Sequence, residues 1–133
     1  MPLEKFRTSA ANLTAALQDV VPYLALTPTD DTDGTGSISI QVKDANGNNL
    51  AQRFLIHTWI ADADFSEPDA QTGFAVTTGE QMYQHEALAD FTVISDANGV
   101  VAMNIDTGGA KTVYVMAQVN GRIYSQAVAI TSD

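Results

Sequence analysis

Cysteine is absent from the sequence, and basic residues are scarce. Without thiols there is no disulfide, no thiolate zinc site and no cysteine nucleophile. The sequence contains 6 Lys and Arg residues and 16 Asp and Glu residues, which gives a net charge of −10. Because an acidic surface repels phosphates, we expect no nucleic-acid partner.

Long apolar runs are also missing. No stretch approaches the roughly 18 apolar residues of a membrane-spanning helix, and the opening MPLEKFR lacks the apolar core of a signal peptide. We therefore expect no membrane partner and a chain made in the cytoplasm, which stays soluble there or leaves it inside an assembly. The 133 residues suffice for one domain with its own core.

Motifs of catalysis and of metal binding are lacking too. There is no GxSxG, no glycine-rich phosphate loop and no HExxH. His57 and His85 are the two histidines, and neither has a metal-ligand spacing. His57 is interpreted as a packed or interface residue of a strand and His85 as exposed. The sequence predicts no enzyme, no catalytic residue, no cofactor and no metal site.

Two acidic stretches are interpreted as solvated turns or loops. Asp30, Asp31 and Asp33 precede Gly34 and offer oxygen ligands to a cation, but a calcium-binding loop needs a glutamate six residues after its glycine, where Ile40 stands. Whether these three carboxylates bind a cation stays open. Asp62, Asp64, Glu67 and Asp69, with Pro68, form the second stretch, interpreted as a flexible, solvated loop within the long connection at residues 62–79.

Residues 1–22 differ from the rest, because they carry no net charge. Apolar residues recur there at helical spacing until Pro22, with Thr8 or Ser9 as a cap, which predicts a short helical or extended segment. The apolar stripe formed by these residues needs a surface to pack against: its own domain, sister chains or a host surface. We interpret residues 1–22 as an attachment and oligomerisation segment. Its predicted partner-binding residues are Phe6, Arg7, Leu13, Leu17, Val20 and Val21.

After Pro22 the apolar residues recur with period two, which is typical of β-strands. Predicted strands cover residues 23–27, 37–43, 53–61, 73–77, 91–95, 100–106, 111–119 and 122–131, while residues 80–89 are ambiguous between a helical turn and a strand. Asn46-Gly47 and Asn120-Gly121 are hairpin-turn pairs, and DANG occurs at both 44–47 and 96–99 as convergent turn chemistry. The pattern predicts an all-β domain over residues 23–133, an immunoglobulin-like Greek-key sandwich of seven or eight strands. The strand at 53–61 is predicted to be central, with Trp59 as the core anchor between the sheets.

Tyrosines offer an alternative role. If Tyr83, Tyr114 and Tyr124 shared one exposed sheet face, they would line a carbohydrate groove. Half-buried strand positions whose hydroxyls reach the surface are the favoured interpretation.

The region 37–133 resembles the small Ig-like, invasin-type domains of tailed-bacteriophage structural proteins. The resemblance rests on the DANG turn at 44–47 followed by Arg53, Phe54, Leu55 and Trp59, on FTVISDANGVVAMNI at 91–105 and on the closing strands at 108–131.

This resemblance implies a non-enzymatic virion structural protein on the outer surface of the phage particle. A capsid decoration or stabilising protein is the first expectation. Its implied partners are the major capsid protein or another virion protein and further copies of itself, with a trimer favoured. The alternative is a tail accessory or an adhesion module that binds host-surface glycans.

Overall fold

The computed structural model describes residues 22–132, which form an all-β domain. The nine strands are β1 (Tyr23–Thr32), β2 (Thr35–Lys43), β3 (Leu55–Ala61), β4 (Gly73–Thr78), β5 (Glu80–Glu86), β6 (Asp90–Ile94), β7 (Val100–Asp106), β8 (Lys111–Val119) and β9 (Arg122–Ile130). No helix in this region is long and apolar enough to cross a membrane.

The strands form two antiparallel sheets. One has the order β1-β2-β7-β4 and the other β5-β6-β3-β8-β9. Four strands opposite five, with β2–β7 and β3–β8 as the central pairs, make an immunoglobulin-like sandwich, as predicted. β3 is the central strand of its sheet, also as predicted. The strand count is nine instead of seven or eight, because the ambiguous segment at 80–89 contains β5.

The core lies between the two sheets and follows the alternation in the sequence. Ile38, Ile40 and Val42 of β2 are buried. They join one apolar cluster with residues of β3, β4, β6, β7, β8 and β9. Each fully buried aliphatic side chain contributes about 1.5–3 kcal/mol relative to exposure, so this cluster is the main source of stability.

The two DANG turns have the same local structure. Asp44 Oδ1 accepts hydrogen bonds from the amides of Asn46 and Asn48, both 2.9 Å long. Asp96 Oδ1 accepts the equivalent pair, from the amides of Asn98 (2.9 Å) and Val100 (3.0 Å). The interpretation as shared turn chemistry is therefore confirmed.

Neither DANG turn joins neighbouring strands. Each lies where the chain crosses from one sheet to the other, between β2 and β3 and between β6 and β7. Asn46-Gly47 does form a tight turn, across which Lys43 bridges Asn49 in antiparallel fashion, but this turn does not pair β2 with β3. Asn120-Gly121 does close a hairpin: both residues have positive φ, and Val119 pairs with Arg122.

The first acidic stretch is mostly strand and not turn. β1 continues through Pro28 to Thr32, which is possible because β1 is an edge strand where a missing N–H is tolerated. Asp30 accepts hydrogen bonds from the hydroxyl (2.6 Å) and the amide (3.2 Å) of Thr131, just after β9. These bonds lower the pKa of Asp30 below its usual value. Asp30 thus connects β1 of the four-stranded sheet to the residue that follows β9 of the five-stranded sheet.

The predicted attachment segment, residues 1–22, lies outside the described residues except for Pro22. Its helical or extended character and its partner-binding residues remain predictions. They are Phe6, Arg7, Leu13, Leu17, Val20 and Val21.

Candidate functional site

Exposed apolar side chains gather on the five-stranded sheet. In the described region, six large hydrophobic residues are exposed: Leu55, Phe65, Met82, Tyr83, Leu88 and Ile123. Five of them belong to β3, β5, β9 or the β5–β6 turn, and Phe65 lies in the β3–β4 loop. None belongs to the four-stranded sheet. This asymmetry marks the five-stranded sheet as the candidate interaction surface.

The strand register shows which side chains share the outer face of this sheet. On β3, Ile56, Thr58 and Ile60 are buried, so His57 and Trp59 point outward. His57 pairs with Thr92 of β6, which pairs with Tyr83 of β5. Aromatic and imidazole rings therefore lie next to one another: His57–Trp59 centroids are 4.9 Å apart and Tyr83–His85 centroids 4.8 Å.

A bulge brings His85 into this row. Gln84 pairs with Phe91 and Glu86 with Asp90, so His85 is an extra residue between two consecutive pairs. Its ring packs edge-on against His57, at 5.1 Å between centroids, and its Nε2 lies 2.8 Å from the Thr92 hydroxyl. His57 Nε2 lies 2.5 Å from Asp90 Oδ1.

These contacts create a cluster that sequence reasoning missed. Potential ligand atoms of His57, His85 and Asp90 all lie within 4.8 Å of one another. The three residues form no recognisable metal-binding motif in the sequence, because each comes from a different strand. The strand order β5-β6-β3 together with the bulge would have been needed to find them.

Trp59 is not the core anchor that the sequence predicts. It is half-buried on the outer face, and its indole N–H donates to the Ser66 carbonyl at 3.0 Å. The β3–β4 loop, residues 62–72, covers it from outside the sandwich. Thr58, next to it, takes the buried position and donates to the Met116 carbonyl at 2.9 Å, which satisfies its hydroxyl.

The β3–β4 loop is bonded to the sheet at several points. Asp62 accepts from Lys111 of β8 (2.7 Å) and from Gln71 (3.0 Å), and these bonds lower the pKa of Asp62. The Ser125 hydroxyl of β9 donates to Asp64. The acidic stretch is therefore a solvated loop, as predicted, but hydrogen bonds to β8 and β9 hold it against the sheet, and residues 73–78 of the longer connection form β4.

Between this loop and the sheet lies an open groove of about 300 Å³. Its walls combine aromatic rings with acidic and imidazole groups: Trp59, Phe65, Ser66, Glu67, Pro68, His57 and Asp90. Phe65 has a left-handed backbone (φ 51°) and an exposed ring. The groove adjoins the His57–His85–Asp90 cluster, because two of the three cluster residues line it.

The three tyrosines proposed for a glycan groove do not share a face. Tyr83 is exposed on the outer face, at the β5 edge. Tyr114 is half-buried and pairs with Ala61, near the opposite end of β3. Tyr124 packs against the core, and its hydroxyl is buried without a hydrogen-bond partner among residues 22–132. A tyrosine groove is therefore wrong for this fold.

The acidic turn does not assemble a cation site from its three carboxylates. In the described residues, the one converging group of three possible ligands is the cluster of His57, His85 and Asp90. Asp30 is bonded to Thr131, whereas Asp31 lines a separate pocket together with Asp106.

No protein-family model and no curated protein matches this chain. Among solved structures, MtrC from Shewanella baltica is 10% identical with a TM-score of 0.39, covering 92% of this chain and 24% of that one. The GH20 exo β-N-acetylglucosaminidase from Vibrio harveyi is 14% identical with a TM-score of 0.34, covering 83% and 18%. The outer membrane decaheme cytochrome OmcA is 10% identical with a TM-score of 0.31, covering 78% and 22%. The chain thus spans about a quarter or less of each protein.

Proposed function

We propose that this chain is a non-enzymatic structural protein of a tailed-phage particle, a decoration or stabilising protein displayed on the outside of the head. Residues 1–22 attach it to the major capsid protein, and copies associate as a trimer. The resemblance of residues 37–133 to phage Ig-like domains supports this role. The net charge of −10 also suits a protein held away from packaged DNA.

One structural observation carries the proposal of a binding module. The six exposed large apolar side chains of the described region all lie on the five-stranded sheet or on the loops next to it. Leu55 and Tyr83 are each more than half exposed, at 61% and 62%. Burying such side chains against a neighbouring virion protein favours assembly, to the extent that the gain exceeds the entropy cost of association. The sheet face thus provides a second contact beside the attachment segment.

Co-sedimentation with capsids that lack the chain tests both contacts. Deleting residues 1–22 should abolish binding and yield a folded, β-rich monomer, because residues between Leu24 and Ile130 already form an apolar cluster between the two sheets. Leu55→Arg or Tyr83→Arg should weaken binding about tenfold or more, since a charge replaces apolar contact at the interface.

Ser39→Arg is the matched control. Ser39 is exposed on the four-stranded sheet, so the variant adds the same charge on the other side of the sandwich. Retained binding after the deletion argues against attachment through residues 1–22. Equal losses for Ser39→Arg and Leu55→Arg argue against the sheet face.

A second function, glycan binding by an adhesion module, is favoured by the groove beside Trp59. Its aromatic rings suit the apolar faces of a sugar, and Glu67 and Asp90 offer acceptors for hydroxyl groups. Here Phe65→Ser should abolish any signal on a glycan array, because the exposed Phe65 ring forms one wall. Ile123→Ser removes an exposed apolar side chain of β9 that does not line the groove, and it should leave the signal unchanged. An array without any signal from the unaltered protein contradicts this second function.

A further inference from the structure

The cluster on the outer face brings together three ligand-type side chains from three adjacent strands. We propose that His57 of β3, His85 of β5 and Asp90 of β6 bind a divalent first-row transition metal, with Zn²⁺ as the preferred ion. Their possible ligand atoms lie within 4.8 Å of one another. This site is independent of any role in a phage particle.

The donor set selects the class of metal. Two imidazoles and one carboxylate are ligands that zinc, copper and nickel accept, whereas calcium and magnesium prefer oxygen alone. Three protein ligands leave the fourth position of a tetrahedral zinc ion for water or for a group from a partner. The groove beside Trp59 gives access to that position, because His57 and Asp90 line it. The net charge of −10 further attracts divalent cations.

To bind one metal ion, the ligand atoms must change their separations by about 1 Å. Zinc–ligand bonds of about 2.0–2.2 Å place the ligand atoms of a tetrahedral site roughly 3.3–3.6 Å apart. His57 Nε2 and Asp90 Oδ1 are 2.5 Å apart and would separate by about 1 Å as zinc replaces the hydrogen bond between them. The remaining distance is closed by His85, whose side chain is exposed and therefore able to rotate.

The surroundings of the cluster position the ligands. His85 Nε2 is bonded to the Thr92 hydroxyl at 2.8 Å, which leaves the other ring nitrogen available to a metal. His57 lies between Trp59 and His85, with ring centroids 4.9 and 5.1 Å away. Bound zinc would therefore join the edge strand β5 to the central strand β3.

Zinc titration of the untagged full chain, followed by NMR of the imidazole C–H groups, tests the proposal. The sequence has two histidines, so the unaltered protein gives two sets of imidazole signals. We expect one equivalent of ZnCl₂ to shift both sets. We also expect Co²⁺ to give the visible absorption of a four- or five-coordinate site. Zinc binding that leaves either imidazole unmoved, or no binding at all, overturns the proposal.

Variants provide the second readout by calorimetry. His85→Ala and Asp90→Asn should each weaken zinc binding at least about tenfold, the lower end of what loss of an outer-shell partner costs a metal site. Asp31→Asn removes one carboxylate on the four-stranded sheet and should leave the affinity unchanged. A loss as large in Asp31→Asn as in Asp90→Asn would mean that surface carboxylates hold the ion, and would refute the site.

Discussion

Ile40→Ala is expected to lower the free energy of unfolding by about 2–5 kcal/mol, the range for large-to-small changes in packed cores. Ile40 is fully buried in β2, between β1 and β7. It pairs with Leu26 on one side and Val101 on the other, so no exposed edge lets the site collapse. Urea denaturation followed by circular dichroism measures the loss.

Ile123→Ala is the matched control for this variant. Ile123 lies on β9 and is 45% exposed. Removing the same atoms there should change the unfolding free energy by no more than about 0.5 kcal/mol, because surface positions have little effect. Similar losses at both positions would contradict the placement of the core between the two sheets.

Gly99→Ala is expected to destabilise the domain by at least about 2 kcal/mol. Gly99 has φ +74°, where a residue with a Cβ costs about 1–2 kcal/mol. A Cβ there would also lie 2.1 Å from the Leu50 carbonyl oxygen, which is backbone and cannot rotate away. Relieving this clash would disturb the bond from the Val42 amide to the Gly99 carbonyl, 2.9 Å long.

Gly47 is a close control, because it occupies the same position in the other DANG turn. Its φ is +85°, and a Cβ there would meet nothing nearer than the Tyr23 hydroxyl, at 3.7 Å. Gly47→Ala should therefore show the backbone cost alone and retain more stability than Gly99→Ala. Thermal unfolding compares the two directly, and equal losses would rule out the contact with Leu50.

Strands with one buried and one exposed face were predictable from the sequence. β7 and β8 have the predicted bounds, because clear alternation is flanked by turn residues at both ends. β5 was ambiguous for a physical reason: all seven of its residues are exposed, so no periodicity marks a buried face. The end of β1 was missed because Pro28 and three nearby aspartates indicate a turn, although an edge strand tolerates them.

The candidate site was harder to predict than the fold. β3 is apolar on both faces, so its alternation does not reveal which face is inside, and Trp59 was assigned to the wrong one. Thr58 carries a hydroxyl, so the sequence does not identify it as a core residue. It can be buried because this hydroxyl donates to the Met116 carbonyl. The meeting of His57 with His85 depends on strand order and on one extra residue in β5, and neither follows from local pattern.

The bonds between Asp30 and Thr131 have a consequence for engineering. They hold the far end of β1 beside the last residues of β9, while Tyr23 lies next to Lys43, at the other end of β1. Seven residue steps of about 3.3 Å separate Tyr23 from Asp30 along the strand, roughly 23 Å in all. A cargo peptide genetically fused behind residue 132 would therefore emerge beside the Asp30 end of β1, at the opposite end of that strand from residue 22.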